Sequence, residues 1–151
     1  MIDYRPPASF HFLVVFLDIP TVGNDVLFQS VSGLSASIET ENVKEGGENR
    51  FTHELPVRCD YSDLVLKRGV LSDSGVIGWL RGAFEGFSFR PCDLLVTLLN
   101  DAHQPLIVWK VVHALPKRWS VSDLDAERSA VLIETLELSY NFFTVSHSAP
   151  T

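Results

Sequence analysis

Hydroxyl, carboxylate and imidazole groups are the first candidates for chemistry in this sequence. The stretch Ser72-Asp73-Ser74-Gly75 places hydroxyls beside a carboxylate, but it lacks the Gly-x-Ser-x-Gly frame of a nucleophile turn. Ser and Asp are also typical of a helix start, because their side chains accept hydrogen bonds from the first free backbone N–H groups. We therefore expect Ser72 or Asp73 to cap a helix. A small hydrolase that uses Asp73, Ser74 or His53 is the third functional hypothesis.

Metal and phosphate sites are weakly supported. Four carboxylates match the first, third, fifth and twelfth positions of a calcium loop: Asp123, Asp125, Glu127 and Glu134. The required glycine is replaced by Arg128, and no helices flank the loop. The glycines of Glu45-Gly46-Gly47-Glu48-Asn49 lie between carboxylates, which oppose phosphate. The histidines lie in separate segments without an i, i+4 ligand pair: His11, His53, His103 and His113. We expect no metal, no cofactor and no catalytic residue.

Composition indicates one acidic domain. The chain has 151 residues, a net charge of −7 and 46% hydrophobic residues, enough for one packed core. We expect a single domain over residues 1–151, with short flexible ends at about 1–8 and 145–151. The net charge excludes a broad footprint for nucleic acid or anionic lipid. Cys59 and Cys92 are too far apart for a redox or zinc motif, which favours two reduced thiols in or near strands.

Export and membrane insertion are also disfavoured by the sequence. The longest apolar runs are far shorter than the ~20 residues of a membrane helix. The first residues, which include an acid and two prolines, make a poor signal peptide. We expect a chain made in the cytoplasm, without a signal peptide and without a membrane anchor.

Hydrophobic periodicity predicts the elements that carry these residues. Apolar residues recur at helical i, i+3, i+4 spacing and predict one helix, which Gly86 can end: Val76, Trp79, Leu80, Ala83, Phe84 and Phe87. On one flank of that helix, Gly78 and Gly82 indicate a close approach to a sheet. Short apolar runs predict strands over 10–17, 28–34, 51–57, 64–70, 93–100, 106–115 and 131–144. The predicted fold is mainly β, an antiparallel β-sandwich or barrel with one packed α-helix.

The segment 39–50 is long, polar and rich in carboxylates, and the sequence places it between two strands. A solvated hairpin loop would explain its composition. Hairpin loops usually have 2–5 residues, however, and much longer ones tend to be functional or disordered. We therefore expect a loop that pairs with another surface. Lys117-Arg118-Trp119 is a single basic cluster, which favours a strand-edge anchor over a nucleic-acid site.

These segments, taken in order, resemble a known family, the tail tube proteins of contractile-tailed phages and of phage-derived contractile injection systems. The matching pieces cover roughly residues 10–143. They are the aromatic strand 10–16, F-x-x-V-x-G-L at 28–34, an acidic strand followed by E-G-G-E-N at 45–49, L-x-L-K-R-G at 64–69, Trp79, the strand 93–100 with Pro105 and Trp109 after it, A-L-P-K-R-W at 114–119 and I-E-T-L-E-L at 133–138.

The resemblance implies a tail-tube-like β-barrel with a flanking helix that assembles as a hexameric ring. Rings stack into a tube through which payload passes, inside a contractile sheath. The chain would be an inner tube subunit or the tube initiator at the baseplate. Implied partners are further copies in a homo-hexamer, neighbouring tube rings, and sheath, baseplate and spike proteins, within a phage tail or injection particle. Carboxylates on the lumen would repel nucleic acid, and no specific nucleic-acid binding is expected.

Contacts between subunits or rings are then expected in the acidic segment. The interface hypothesis covers Glu39, Glu41, Lys44, Glu45, Gly46, Gly47, Glu48, Asn49 and Arg50. A second hypothesis is a small-molecule-binding β-barrel without catalysis, in which the many Phe residues line a cavity. That hypothesis leaves the acidic segment and the helix unexplained.

Overall fold

A computed structural model describes residues 11–20, 27–43, 46–47, 53–70, 74–127 and 132–147. These residues form ten strands and one helix. The strands are β1 (His11–Phe16), β2 (Leu27–Phe28), β3 (Ser30–Ser32), β4 (Ala36–Val43), β5 (His53–Tyr61), β6 (Leu64–Gly69), β7 (Cys92–Leu99), β8 (Pro105–Val121), β9 (Ile133–Ser139) and β10 (Phe142–His147). The helix is α1 (Gly75–Phe84).

Antiparallel pairing joins eight of these strands in the order β2-β1-β7-β8-β9-β6-β3, with β10 added on β8. The path closes like a barrel, because β2 and β3 are separated by Gln29 alone. The N–H of Gln29 donates to the carbonyl oxygen of Lys67 at 2.8 Å. β4 and β5 pair only with each other in this part of the chain. The predicted class, an antiparallel β-protein with one packed helix, is confirmed.

The core lies inside this curved sheet and is built by strand alternation. In β9, Leu136 and Leu138 are buried, whereas the residues on either side of them in the strand are partly exposed. β6 contributes Leu64 and Leu66 in the same way. Strand side chains alternate between faces, so this pattern directs one face of each strand inward. Further buried apolar side chains come from β1, β7 and β8: Val14, Phe16, Leu94, Val96 and Val111.

Helix α1 covers this core with Val76, Leu80 and Ala83, as their spacing predicts. The end of the predicted stripe is wrong, because the helix stops at Phe84, which is 47% exposed, and Phe87 beyond it is 82% exposed. Its cap is Ser74, which accepts a hydrogen bond from the backbone N–H of Ile77 at 3.4 Å. Ser72 and Asp73, the predicted caps, lie outside the described residues. The helix ends at Phe84, and the next residue, Glu85, donates its N–H to the carbonyl oxygen of Arg81 at 2.9 Å.

The prediction that Gly78 and Gly82 bring the helix close to a sheet is wrong. A Cβ atom at Gly78 would meet nothing within 4 Å, and one at Gly82 would lie 3.9 Å from the carbonyl oxygen of Ser88. Gly78 therefore faces open space, and the one neighbour of Gly82 lies in the loop after the helix and not in a sheet. The helix packs through its apolar side chains and not through these residues.

The single strand predicted over residues 131–144 is divided into β9 and β10 at Tyr140 and Asn141. Both parts pair with β8, end to end. The break lies opposite His113, whose φ of 61° kinks β8. The N–H of His113 turns to the Asp93 carboxylate at 2.9 Å. β10 also includes residues 145–147, which the sequence assigned to a flexible end.

One ion pair is buried beneath the helix. The guanidinium of Arg68 donates from Nε to Oε2 of Glu134 at 2.9 Å, and both side chains are 2% exposed. Its Nη2 donates to the Ser74 hydroxyl at 2.9 Å, and the Trp119 indole N–H donates to Glu134 Oε1 at 2.7 Å. The guanidinium carbon also lies 5.0 Å from the centroid of the Phe28 ring. This network ties β6, β8, β9 and the start of α1 together.

Candidate assembly surface

The two-stranded ribbon β4–β5 is the most exposed element of the described structure. Every residue of β4 is exposed, and every residue of β5 except Tyr61. Isolated two-stranded ribbons are marginally stable in water. Here the ribbon is supported by its own pairing, from Ala36 opposite Tyr61 to Val43 opposite His53. Such an element is typical of a surface that another molecule covers.

Large apolar side chains lie on this ribbon. Ile38 is 64% exposed, Leu55 is 52% exposed and Val57 is 51% exposed. Val57 is the extra residue of a β-bulge, since Glu39 pairs with Arg58 and the next residue of β4 pairs with Pro56. The register places Ile38 and Leu55 on opposite faces of the ribbon. Scattered exposed apolar residues are normal in proteins, but apolar side chains on both faces of one projecting element make it a candidate interaction surface.

The charge of the ribbon is mainly negative. Its strands carry four carboxylates against one guanidinium: Glu39, Glu41, Glu54, Asp60 and Arg58. Arg58 pairs with Glu39 across the strands at 2.9 Å, and both side chains are more than half exposed. Exposed pairs contribute little to stability, typically about 0.2–1 kcal/mol. This pair therefore fixes side-chain positions on the surface more than it supports the fold.

The structure changes the description of the acidic segment. Glu39 and Glu41 do not lie in a loop, because both belong to β4. Gly46 and Gly47 are in an exposed turn beyond that strand, and the φ of Gly47 is +100°. The other members of the interface hypothesis lie outside the described residues: Lys44, Glu45, Glu48, Asn49 and Arg50. Its described members thus occupy the ribbon and its turn.

The candidate hydrolase residues are not brought together as a catalytic set. Ser74 is the helix cap and accepts a hydrogen bond from Arg68. His53 lies on the ribbon, in the first position of β5. Asp73 is outside the described residues. Ser74 therefore has a structural role as the helix cap, a position that the sequence had assigned to Ser72 or Asp73.

The calcium-loop pattern is also not assembled. Glu134 is buried, and its carboxylate oxygens accept hydrogen bonds from Arg68 and Trp119. Asp123 and Asp125 lie in an exposed segment after β8, where Asp125 accepts the N–H of Glu127 at 3.0 Å. Among the described residues, no three His, Cys, Asp or Glu side chains are grouped to hold a metal ion.

A groove of about 430 Å³ lies between the open flank of α1 and the segments at the end of β1 and the start of β7. Ile19, Pro20 and Trp79 give it apolar walls. The Trp79 indole N–H donates to the carbonyl oxygen of Arg90 at 2.6 Å. The groove lies outside the barrel, whose interior Phe16 and Phe28 help to fill. The arrangement therefore differs from a barrel that encloses a ligand.

The two thiols have different environments. Cys59 is exposed on the ribbon opposite Ile38, whereas Cys92 is buried at the start of β7. Burial raises the pKa of the Cys92 thiol. Both thiols are free, as predicted.

A closed antiparallel barrel, a flanking helix and a projecting ribbon together define a class of protein, the structural β-barrel subunits of tail tubes. Within that class, the chain belongs to the T4-like virus tail tube protein gp19 family, whose sequence model matches residues 8–144. The resemblance inferred from the sequence is therefore confirmed. The structural role in a tube of the contractile-tail type is confirmed with it.

Solved structures agree with this family. A chain in the cryo-EM structure of the anti-feeding prophage (AFP) baseplate is 34% identical, with a TM-score of 0.82 over 97% of this chain and 98% of that chain. A chain of the sheath–tube complex of the extracellular contractile injection system PVC, in its extended state, is 22% identical, with a TM-score of 0.79 over 97% and 95%. Hcp1 from Flavobacterium johnsoniae is 15% identical, with a TM-score of 0.61 over 91% and 96%.

Two further observations complete the comparison. A search of curated proteins gives no significant match. In the described part of the chain, no helix combines the length and the apolar character needed to cross a membrane.

Proposed function

We propose that the chain forms the first, six-membered ring of the tube at the baseplate of a contractile injection system. The observation that carries this proposal is the 34% identity to a chain of the AFP baseplate, which spans 97% of this chain. Identity falls to 22% for the PVC sheath–tube complex and to 21% for the AFP tube-terminating cap. The AFP baseplate was treated as six-fold symmetric, which supports a ring of six copies.

The ribbon supports contacts between copies. Its exposed apolar side chains and backbone leave a surface that a neighbouring subunit can bury. A head-to-tail contact of this kind closes a ring when the rotation between subunits divides a full turn. We assign the ring or stacking interface to the whole hypothesised set, Glu39, Glu41, Lys44, Glu45, Gly46, Gly47, Glu48, Asn49 and Arg50. Sheath, spike and next-ring proteins are the further partners.

The proposed role is architectural and needs no catalysis. It is supported by the family and by the structural use of Ser74 and Glu134. The net charge of −7 would keep a nucleic-acid payload from binding the wall of the tube. The particle that carries the ring is of the phage-tail type.

Negative-stain microscopy and light scattering of the purified chain test the proposal. Single six-fold rings are expected at high protein concentration. Long stacked tubes would instead assign the chain to the repeated tube subunits. A monomer at every concentration would contradict assembly of the isolated chain.

A pair of matched variants tests the ribbon. Ile38→Asp places a charge on the exposed apolar surface of the ribbon and should abolish rings. Leu124→Asp makes the same change at a residue that is 78% exposed elsewhere, and rings should persist. If both variants form rings as well as the native chain does, the ribbon is not part of the interface. Glu45→Lys and Glu48→Lys test the acidic turn in the same assay.

A further inference from the structure

The ribbon leaves the barrel through four residues that we call the ribbon root: Gly33 and Ser35 before β4, and Ser62 and Asp63 after β5. The segment that enters the ribbon and the segment that leaves it lie in close contact here. A Cβ atom at Gly33 would lie 1.9 Å from the carbonyl oxygen of Asp63, and the φ of Gly33 is +90°. Glycine alone fits both constraints. Ser62 donates its N–H to the carbonyl oxygen of Ser35 at 3.2 Å, and their hydroxyls lie 2.7 Å apart.

Two side chains of the barrel hold the ribbon root. Tyr140, directly after β9, donates its hydroxyl proton to the carbonyl oxygen of Gly33 at 3.1 Å. Lys117, in β8, lies with its Nζ 2.6 Å from a carboxylate oxygen of Asp63. Tyr140 thus holds the segment before β4 against the barrel, and Lys117 holds the segment after β5.

Aromatic packing adds a third contact at the same place. The ring centroid of Tyr61, the last residue of β5, lies 5.1 Å from the ring centroid of Phe143, in an edge-on arrangement. It also lies 5.8 Å from the ring of Tyr140. Such edge-on and tilted pairs stabilise the contact beyond the area that they bury. The Tyr140 phenol is protonated at neutral pH, and burial raises its pKa to about 12, so its hydroxyl stays a hydrogen-bond donor in alkaline solution as well.

We infer that Tyr140 is a positioning residue that fixes the direction in which the ribbon leaves the barrel, so that the ribbon is oriented before it meets a neighbouring subunit. Beyond the ribbon root, neither strand pairs with the barrel in the described structure. The orientation of the ribbon is therefore set at the root. A surface that is already ordered loses less conformational entropy on binding. The inference rests on the proposed ring.

Distance measurements by double electron–electron resonance test the orientation in unassembled protein. One spin label is placed on the ribbon at Glu41→Cys and the other on the exposed β7–β8 turn at Ala102→Cys, in a Cys59→Ser background. We expect one narrow distance distribution in this protein and a distribution at least twice as wide after Tyr140→Phe, which keeps the ring and removes the donor. Tyr61→Phe in the same background is the control, because it keeps the ring contacts with Tyr140 and Phe143 and removes a hydroxyl whose partner, the side chain at position 59, lies within the ribbon.

Assembly is then measured on unlabelled chains. Tyr140→Phe should raise the protein concentration at half-maximal ring formation about five-fold, equivalent to roughly 1 kcal/mol, whereas Tyr61→Phe should leave it unchanged. An unchanged distance distribution in Tyr140→Phe would overturn the positioning role. A broader distribution with unchanged ring formation would overturn its importance for assembly. If the native chain forms no rings, the proposed function fails, and the distance distributions still decide whether Tyr140 fixes the ribbon.

Discussion

Removing the carboxylate of the buried ion pair is expected to be among the most destabilising single changes in the barrel. Glu134→Leu leaves the guanidinium of Arg68 without its counter-charge in a site where both side chains are 2% exposed. Breaking one partner of such a pair costs about 3–5 kcal/mol. The Trp119 indole N–H also loses its acceptor, which lies at 2.7 Å. We expect a total loss of about 4 kcal/mol, a large share of the roughly 5–15 kcal/mol that stabilises a typical domain.

Urea unfolding followed by tryptophan fluorescence measures this loss. With a slope of about 2 kcal/mol per molar urea, the midpoint should fall by roughly 2 M. Glu137→Leu is the matched control, because it makes the same change in β9 on the opposite, partly exposed face.

The double variant Arg68→Met/Glu134→Leu separates the cost of an unpaired charge from the value of the pair. Replacing a whole buried pair with apolar residues is often neutral or stabilising. We therefore expect the double variant to recover most of the stability lost in Glu134→Leu. A loss below about 1 kcal/mol in the single variant, or a double variant no more stable than the single one, would refute the reasoning.

Four further expectations concern individual residues. Gly33→Ala should prevent native folding at the ribbon root, because the clash with Asp63 adds to a strained φ that alone costs roughly 1–3 kcal/mol. Gly78→Ala should instead stabilise the chain by about 1 kcal/mol, since its Cβ meets open space in a helix; thermal unfolding of both variants is the measurement. The pKa of Tyr140 is raised from 10.0 to about 12 in the folded chain. Because the unfolded chain releases this proton at lower pH, the contribution of Tyr140 to the free energy of unfolding is full below pH 10 and is lost as the pH rises towards 12. Unfolding curves across this range should lose that part of their pH dependence in Tyr140→Phe. Ellman's reagent should titrate one thiol in the native chain, Cys59, and two after denaturation, and a second fast thiol would contradict the burial of Cys92.

Elements with a buried face were predictable from the sequence. Val76, Leu80 and Ala83 predict the helix because three contacts with the core repeat at helical spacing. Hydrophobic periodicity missed β4 for the opposite reason, and only the family resemblance implied an acidic strand there. All of its residues are exposed, so no hydrophobic period distinguishes it from a polar loop. The break between β9 and β10 was also not predictable, because its cause is the kink at His113 in another strand.

The candidate site was only partly predictable. The unusual composition of residues 39–50 indicated a surface that meets a partner, and its described part does lie on the most exposed element. The Arg68–Glu134 pair gave no signal as a pair, because its members are 66 residues apart and charged residues are ordinarily exposed. The role of Tyr140 depends on a contact with Gly33 across 107 residues of sequence, which only the fold creates.

The length of β8 has a consequence for how the molecule comes apart. Its first part pairs with β7 and β10, and its last part pairs with β9. Because one continuous strand carries both halves of the sheet, neither half can melt without removing hydrogen bonds from the other. The barrel should therefore unfold as one cooperative unit. The ribbon is not hydrogen-bonded to β8 or to any other strand of the barrel in the described structure. It can therefore open at a lower free energy than the barrel needs to unfold, and its amide protons should exchange as a separate unit.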